Sequence, residues 1–340
     1  MRTLFGLIAV LAAGCDFTPT LDIETPAYQA GVVVRSMLVA DSVATVWVDE
    51  SWDPYQGRPR DRSSAYPPSP AGLFSAEVTL LRDGAVVERL TERRDRCVDE
   101  SQPPVPEGGE VETFPCGPYQ GTVTVEAGAA YTVRAVAEGR PPAEGTVTVP
   151  RRPGLEVEEL ARAGGDRQIR IRLADPAGAG DRYGLTLYSF RTSFPGGVCD
   201  NNGCRDTTYV IDNPDFYPLA FDTSDPVVLA ASREIAGSGI SFASFPDDTF
   251  EGQTKAFTIK PSSRYRSEDT DQALRVQVAA LSADLYDLYQ IEQFGGGEDN
   301  PFAEPINRPS NVVGGYGIVG ALALAEVLLP PADASAARRR

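Results

Sequence analysis

Short β-prone runs, cut by Pro, Gly and Asp-Gly turns, recur along this chain at a spacing of about ten residues, and that rhythm limits what it can fold into. Gly31 to Val39 (GVVVRSMLV) and Val43 to Val48 form the first pair. Glu77 to Leu81 and Ala85 to Leu90 flank Arg82-Asp83-Gly84. Asp-Gly is a hairpin signal because both central residues of the favoured turn need positive φ. Gly121 to Val125, Tyr131 to Ala137 and Gly145 to Val149 continue the series up to Pro150-Arg151-Arg152-Pro153, which reads as a boundary. Strands this short, with turns this regular, predict a β-sandwich.

The second half repeats the grammar. Gln168 to Leu173 (QIRIRL) alternates, so one face is buried and one wet. Tyr183 to Phe190, Thr207 to Ile211, Val227 to Ala231, Lys255 to Ile259 and Leu274 to Leu281 read as further strands. One helix is predicted. Ser282 caps it, Leu285, Leu288, Ile291 and Phe294 recur at three-residue spacing, and Gly295 to Gly297 stop it. Gly314 to Leu329 is apolar but shorter than the roughly 20 residues of a membrane span. It carries Glu326 and reads as a last core strand. The expected fold is mostly β: two β-sandwich-like domains, 30–150 and 151–330, the first immunoglobulin-like or transthyretin-like. One C-terminal helix lies near 283–294, and 331–340 is a tail.

The first 14 residues belong to another category. Arg2 precedes an apolar run, Leu4 to Ala13, with the length and flanks of a secretory signal peptide. Its end, Leu11-Ala12-Ala13-Gly14-Cys15, resembles a bacterial lipobox. On that reading Cys15 is the first residue after cleavage and carries the lipid, and residues 15–29, with Pro19 and Pro26, are a tether. The alternative is an ordinary signal peptide with a chance Cys. The expected location is the cell envelope, lipid-anchored, at the outer membrane.

Charge narrows the partners. The formal net charge is −17, which excludes a nucleic-acid binder, since that affinity comes from neutralising phosphates. Hydrophobic residues make up 42% of the chain, enough for real cores. Besides Cys15 there are Cys97, Cys116, Cys199 and Cys204, an even set that in an exported chain suggests disulfides. Pairing between sequence neighbours, Cys97 with Cys116 and Cys199 with Cys204, is the simplest of three connectivities. No C-x₂-C pair and no His occur, which argues against a thiolate metal site.

The absence of His also excludes Ser-His-Asp and Cys-His catalysis. No phosphate-binding loop or dinucleotide fingerprint is present, and no cofactor is implied. A carboxylate-dependent hydrolase is compatible with 48 acidic residues, but no pair among them is singled out. Asp247, Asp248 and Glu251 could offer oxygens to Ca²⁺; without EF-hand spacing they read first as a solvated turn, so no metal is assigned. Trp47, Trp52 and Tyr55 surround a strand end beside a Pro-rich loop. Exposed, they would stack on a sugar or a partner protein. The plainer expectation is a core Trp47 with the other two packed in the loop.

Three C-terminal runs carry a family resemblance. They are Phe245-Pro246-Asp247-Asp248-Thr249-Phe250-Glu251-Gly252, Asn300-Pro301-Phe302-Ala303-Glu304-Pro305, and Ser310-Asn311-Val312-Val313-Gly314-Gly315-Tyr316-Gly317-Ile318-Val319-Gly320-Ala321. With the lipobox and the strands at Ala76 to Leu80, Tyr131 to Val133 and Thr148 to Pro150, the chain from about Leu21 to Ala321 resembles exported Gram-negative lipoproteins catalogued as domain of unknown function 4249. The resemblance implies an envelope location and, often, a gene neighbour encoding a TonB-dependent outer-membrane receptor. It brings no activity and no catalytic residues. The expected function is a non-enzymatic accessory or ligand-binding subunit of such a complex; the alternative is a surface adhesion or glycan-binding module.

Overall fold

The computed structural model describes residues 29–51, 75–93, 95–98, 113–163, 166–176, 180–200, 203–230, 232–235, 239–262, 272–294 and 309–331. The first half contributes β1 (Val32–Val39), β2 (Val43–Glu50), β3 (Glu77–Arg82), β4 (Ala85–Arg89), β5 (Thr91–Glu92), β6 (Asp95–Val98), β7 (Thr113–Cys116), β8 (Tyr119–Thr124), β9 (Ala130–Val136) and β10 (Ala143–Thr148). The second contributes β11 (Gly154–Ala163), β12 (Asp166–Ala174), β13 (Arg182–Asp200), β14 (Gly203–Pro218), β15 (Phe221–Thr223), α1 (Pro226–Ala230), β16 (Ser232–Ile235), β17 (Gly239–Pro246), β18 (Thr254–Pro261), β19 (Leu274–Leu281), α2 (Ala283–Phe294), β20 (Val312–Val313) and β21 (Tyr316–Leu329). The fold is mostly β, as the turn rhythm predicts. No helix among the described residues is long and apolar enough to cross a membrane.

A 14-stranded sheet runs in the order β11-β12-β18-β15-β17-β13-β19-β21-β1-β2-β8-β5, with β14 branching from β13 and β16 from β17. A 5-stranded sheet, β20-β10-β9-β3-β4, and a small ribbon, β6-β7, complete it. The 5-stranded sheet packs on one end of the large one. Val34, Leu38 and Val46 there meet Leu80, Tyr131 and Val133 in the first core. The other end of the large sheet curls, bringing β11 against β21, and encloses a second core around Ile171, Tyr183, Leu187, Phe245 and Val276.

The predicted hairpin forms as its sequence requires. Asp83 and Gly84 both take positive φ, 49° and 79°, which is the two-residue turn that matches strand twist. The predicted helix also forms, over Ala283–Phe294. The Ser282 hydroxyl accepts from the Ala321 N–H at 3.0 Å, fixing the helix start to β21.

One expectation needs revision. Val227 to Ala231, predicted as a strand, lies largely in α1, because Asp225 Oδ1 accepts from the N–H groups of Val227 and Val228 at 3.0 and 3.1 Å. With Pro226 in the first turn, this cap decides the local fold against the β propensity of two valines. The last strand crosses from the first core to the second. β21 pairs in parallel with β1 from Val33↔Tyr316 to Val39↔Leu322. Its Val319, Ala321 and Ala323 belong to the first core and its Leu329 to the second.

The glycines of the last telling run make that crossing possible. A Cβ at Gly317 (φ +105°) would lie 2.1 Å from the Val34 carbonyl oxygen, and one at Gly314 (φ +77°) 2.1 Å from that of Pro142. Asn311 clamps the same region, its Oδ1 accepting from the Val319 N–H and its Nδ2 donating to the Val319 carbonyl and to Asp284, each at 2.9 Å. These residues serve close packing of backbone against backbone.

Candidate functional site

β1 and β2 turn one face into the first core and the other outward. Alternation puts Arg35, Met37, Trp47 and Asp49 on the outer face. Trp47 is 42% exposed, so it is not the core residue that its size predicts. It lies opposite Arg35, whose guanidinium donates to Asp49 Oδ2 at 2.6 Å. Met37 is 46% exposed beside them. Trp52 and Tyr55 lie outside the described residues, as does Cys15.

The same outer face continues across β21, β19, β13 and β17, where α2 covers part of it. Gly320 lets α2 approach: a Cβ there would lie 3.0 Å from Leu285 Cβ. Beside the helix a groove of about 340 Å³ remains. Met37, Leu322 and Leu324 line it toward β1, and Phe242, Tyr188 and Tyr289 toward β17. Phe242 and Tyr289 meet edge to face, with centroids 5.2 Å apart. Just outside this lining, next to Tyr188, the Arg275 guanidinium packs on two rings, 4.7 Å from the Tyr188 centroid and 4.5 Å from that of Phe216. None of these groove residues was singled out from the sequence. The signal was present in Leu274 to Leu281, where Arg275 and Gln277 occupy the face opposite Leu274, Val276 and Val278.

Three carboxylates from separate segments meet elsewhere. Asp175 follows β12, Asp181 precedes β13 and Asp247 follows β17, and one carboxylate oxygen from each lies within 4.8 Å of the other two. Asp247 is 1% exposed and Asp175 7%. Asp175 accepts from the Tyr183 hydroxyl and, at 2.6 Å, from the Gly252 N–H. Asp247 accepts from the Asp181 N–H at 3.1 Å. Burial and the hydrogen bond to Asp175 push the Tyr183 hydroxyl's pKa up, so Tyr183 stays a donor. Burial, then the charges of Asp175 and Asp247, raise the Asp181 pKa, with Arg151 and Arg182 opposing. Of the three residues read from the sequence as Ca²⁺ candidates, only Asp247 joins this cluster; Asp248 and Glu251 are exposed on the following turn. Ca²⁺ takes about six to eight oxygens. Three carboxylates with several lone pairs already engaged fall short of that set.

The cysteine expectations rest on backbone alone, because the four side chains lie outside those described. Cys199 is in register with Cys204 across the β13–β14 hairpin. In the ribbon, Cys97 is in register with Phe114 and Cys116 with Asp95.

This architecture defines a class, a mostly β protein on a large curled sheet with an open, partly apolar outer face. The chain belongs to the family described as "Domain of unknown function (DUF4249)", which matches residues 18–326. That is the family its C-terminal runs resemble. No curated protein and no solved structure matches the chain.

Proposed function

We propose that this protein is a non-enzymatic envelope lipoprotein, an accessory or ligand-binding subunit of an outer-membrane complex of the TonB-dependent receptor type. The observation that carries the reading is the exposed outer face at Trp47, Met37 and Tyr316, which lies where the N-terminal tether would leave the fold. The Tyr316 hydroxyl donates to the Gln29 carbonyl at 3.1 Å, so this face adjoins the first described residues. The chain between Cys15 and Gln29 reaches at most about 50 Å, at roughly 3.5 Å per residue. A lipid on Cys15 therefore keeps the face within reach of a membrane partner and raises its effective concentration.

The reading includes cleavage before Cys15 and bonds Cys97–Cys116 and Cys199–Cys204. Supporting the second bond, Cys199 and Cys204 are the first pair beyond the one that closes the hairpin, and directly opposed residues have the Cα separation a disulfide needs. The first pair stands two register positions apart in the ribbon.

The test is purification of the lipidated protein from its native envelope under mild detergent. A stoichiometric β-barrel partner, lost on Trp47→Ala, supports the reading; recovery of the protein alone sinks it. A second reading, glycan binding, is favoured by one feature, the exposed Trp47 ring beside the Arg35–Asp49 pair, an apolar plate flanked by hydrogen-bonding groups. Retention on a glycan array by the purified chain, without a protein partner, would select it. Against a hydrolase, the clustered carboxyls at 175 and 247 are buried, and a glycosidic bond needs access between its two acids.

A further inference from the structure

The groove beside α2 has an apolar floor, and Arg275 stands just outside its lining, next to the wall residues Tyr188 and Gln277. From Phe242 on β17 to Met37 on β1 it crosses β13, β19 and β21, four inter-strand spacings or about 19 Å. Its volume of about 340 Å³ is that of a small-ligand site, roughly 300–1,000 Å³, and its proportions suit something long and thin. Gly184 helps to keep the floor low. A Cβ there would lie 2.9 Å from the Phe242 ring, so any side chain would lift that ring into the groove.

Arg275 supplies the charge. It shares the outer face with Gln277 and Tyr188, both in the groove wall, and Tyr188 is its direct cross-strand partner. Its Nε is buried without a hydrogen-bond partner, and its described contacts are the two rings. Among the described residues no carboxylate pairs with it, in a chain of net charge −17. Glu326 stands diagonally across on the same face and leaves it unpaired. Two rings pack against the guanidinium and no described carboxylate answers its charge, so it is available to an anion that the protein itself does not provide.

We infer that this groove binds an anionic single-chain amphiphile of the long-chain carboxylate class. The head group accepts from Arg275 beside Tyr188, and the tail crosses β19 and β21 toward Leu324 and Met37. The inference is independent of receptor docking and stands or falls on its own measurement.

The experiment is calorimetry on the full chain carrying Cys15→Ala, so that no covalent lipid competes. Dodecanoate, dodecanol and dodecyltrimethylammonium are titrated below their micelle concentrations. Dodecanoate should bind, dodecanol at least tenfold more weakly, and the cation not measurably. Arg275→Gln should lower dodecanoate affinity at least tenfold, to the level of the alcohol, and Glu326→Gln should raise it. Thr186→Trp, which fills the groove from β13, should abolish binding of dodecanoate and dodecanol alike. Equal binding of dodecanoate and the cation by the unaltered groove overturns the inference without any variant. Unchanged dodecanoate affinity in a folded Arg275→Gln or Thr186→Trp protein overturns it as well.

Discussion

Arg167 and the Asp175–Asp181–Asp247 cluster are both buried charge in the same half of the molecule, and they are built on opposite plans. Arg167 has a side chain 1% exposed with every direction answered. Its Nε and Nη2 meet the two Glu159 oxygens at 3.0 and 2.8 Å, and it donates to the Gln272 and Pro330 carbonyls at 2.7 and 3.0 Å. One cation thereby ties β12 to β11, to the approach to β19 and to the end of β21, closing the curl around the second core. The carboxylate cluster gathers three acids, meets Asp175 and Asp247 with neutral donors, and has Arg151 and Arg182 only as nearby charges that do not cancel the repulsion at Asp181. The first arrangement holds structure together; the second stores repulsion that a proton relieves.

Breaking the satisfied site should have the largest effect. Arg167→Ala leaves Glu159 and two carbonyls without their donor, and removing one member of a buried pair costs about 3–5 kcal/mol. Urea unfolding should show the midpoint falling with little change in slope. The double change Arg167→Met with Glu159→Leu sharpens the point. It should recover most of the loss, because a well-packed apolar pair replaces a charge pair nearly neutrally. If Arg167→Ala melts like the parent chain, the curl is held by something else.

Asp225 is a second satisfied charge, with a smaller role. It caps α1 and pairs with Lys255 at 2.9 Å, both side chains 13% exposed. Asp225→Ala should cost about 1–2 kcal/mol through the lost cap and the stranded ammonium. Asp225→Asn keeps the cap and loses the charge pair, so the gap between the two variants in thermal melting divides the two terms.

What the sequence made legible follows the same division between local and distant causes. The Asp83-Gly84 hairpin, the strand at Leu274 to Leu281 and the helix from Ala283 were readable because their signals lie within a few residues. α1 was hidden because a single cap outweighed the local β propensity. The parallel pairing of β1 with β21 joins the two ends of the chain, and no short-range pattern encodes a partner that far away. The acidic cluster draws on three segments, of which only the Asp247 turn stood out. Trp47 was expected inside on size, yet it occupies the outward position of a strand whose alternation, read strictly, already turned it out.

The unsatisfied site predicts a change of opposite sign. The Asp181 pKa is raised above its ordinary 3.8, so the folded state holds a proton there more tightly than the unfolded chain. Stability is therefore lost as pH climbs from about 4 through the raised value, and the full penalty is present at neutral pH. Asp181→Asn removes one negative charge and keeps the backbone N–H that donates to Asp247. At pH 7 it should raise stability by about 0.5 kcal/mol, a figure reduced for solvent screening of a partly exposed group. At pH 3 the two proteins should melt together. A variant that destabilises at pH 7 would show that Asp181 does more than repel.

Glu88 gives the smallest effect and the reverse pH dependence. It lies on edge strand β4, and its carboxylate accepts from the N–H groups of Thr122 and Val123 at 2.8 to 3.0 Å and from the Thr122 hydroxyl at 2.7 Å. It thus latches the edge of the 5-stranded sheet to β8 of the large one. Burial works against its charge, but these donors outweigh burial and bring its pKa below the ordinary 4.5. Folding here favours the ionised form. The contribution is complete above about pH 5 and is lost as pH falls through the depressed value. Glu88→Gln keeps an acceptor and loses the charge, so at pH 7 the loss should stay below about 0.5 kcal/mol, since the latch is solvent-facing. The difference should vanish at a pH below the depressed value, where the parent carboxyl is itself neutral. Equal losses at both pH values would assign the effect to shape, and the latch would then owe nothing to its charge.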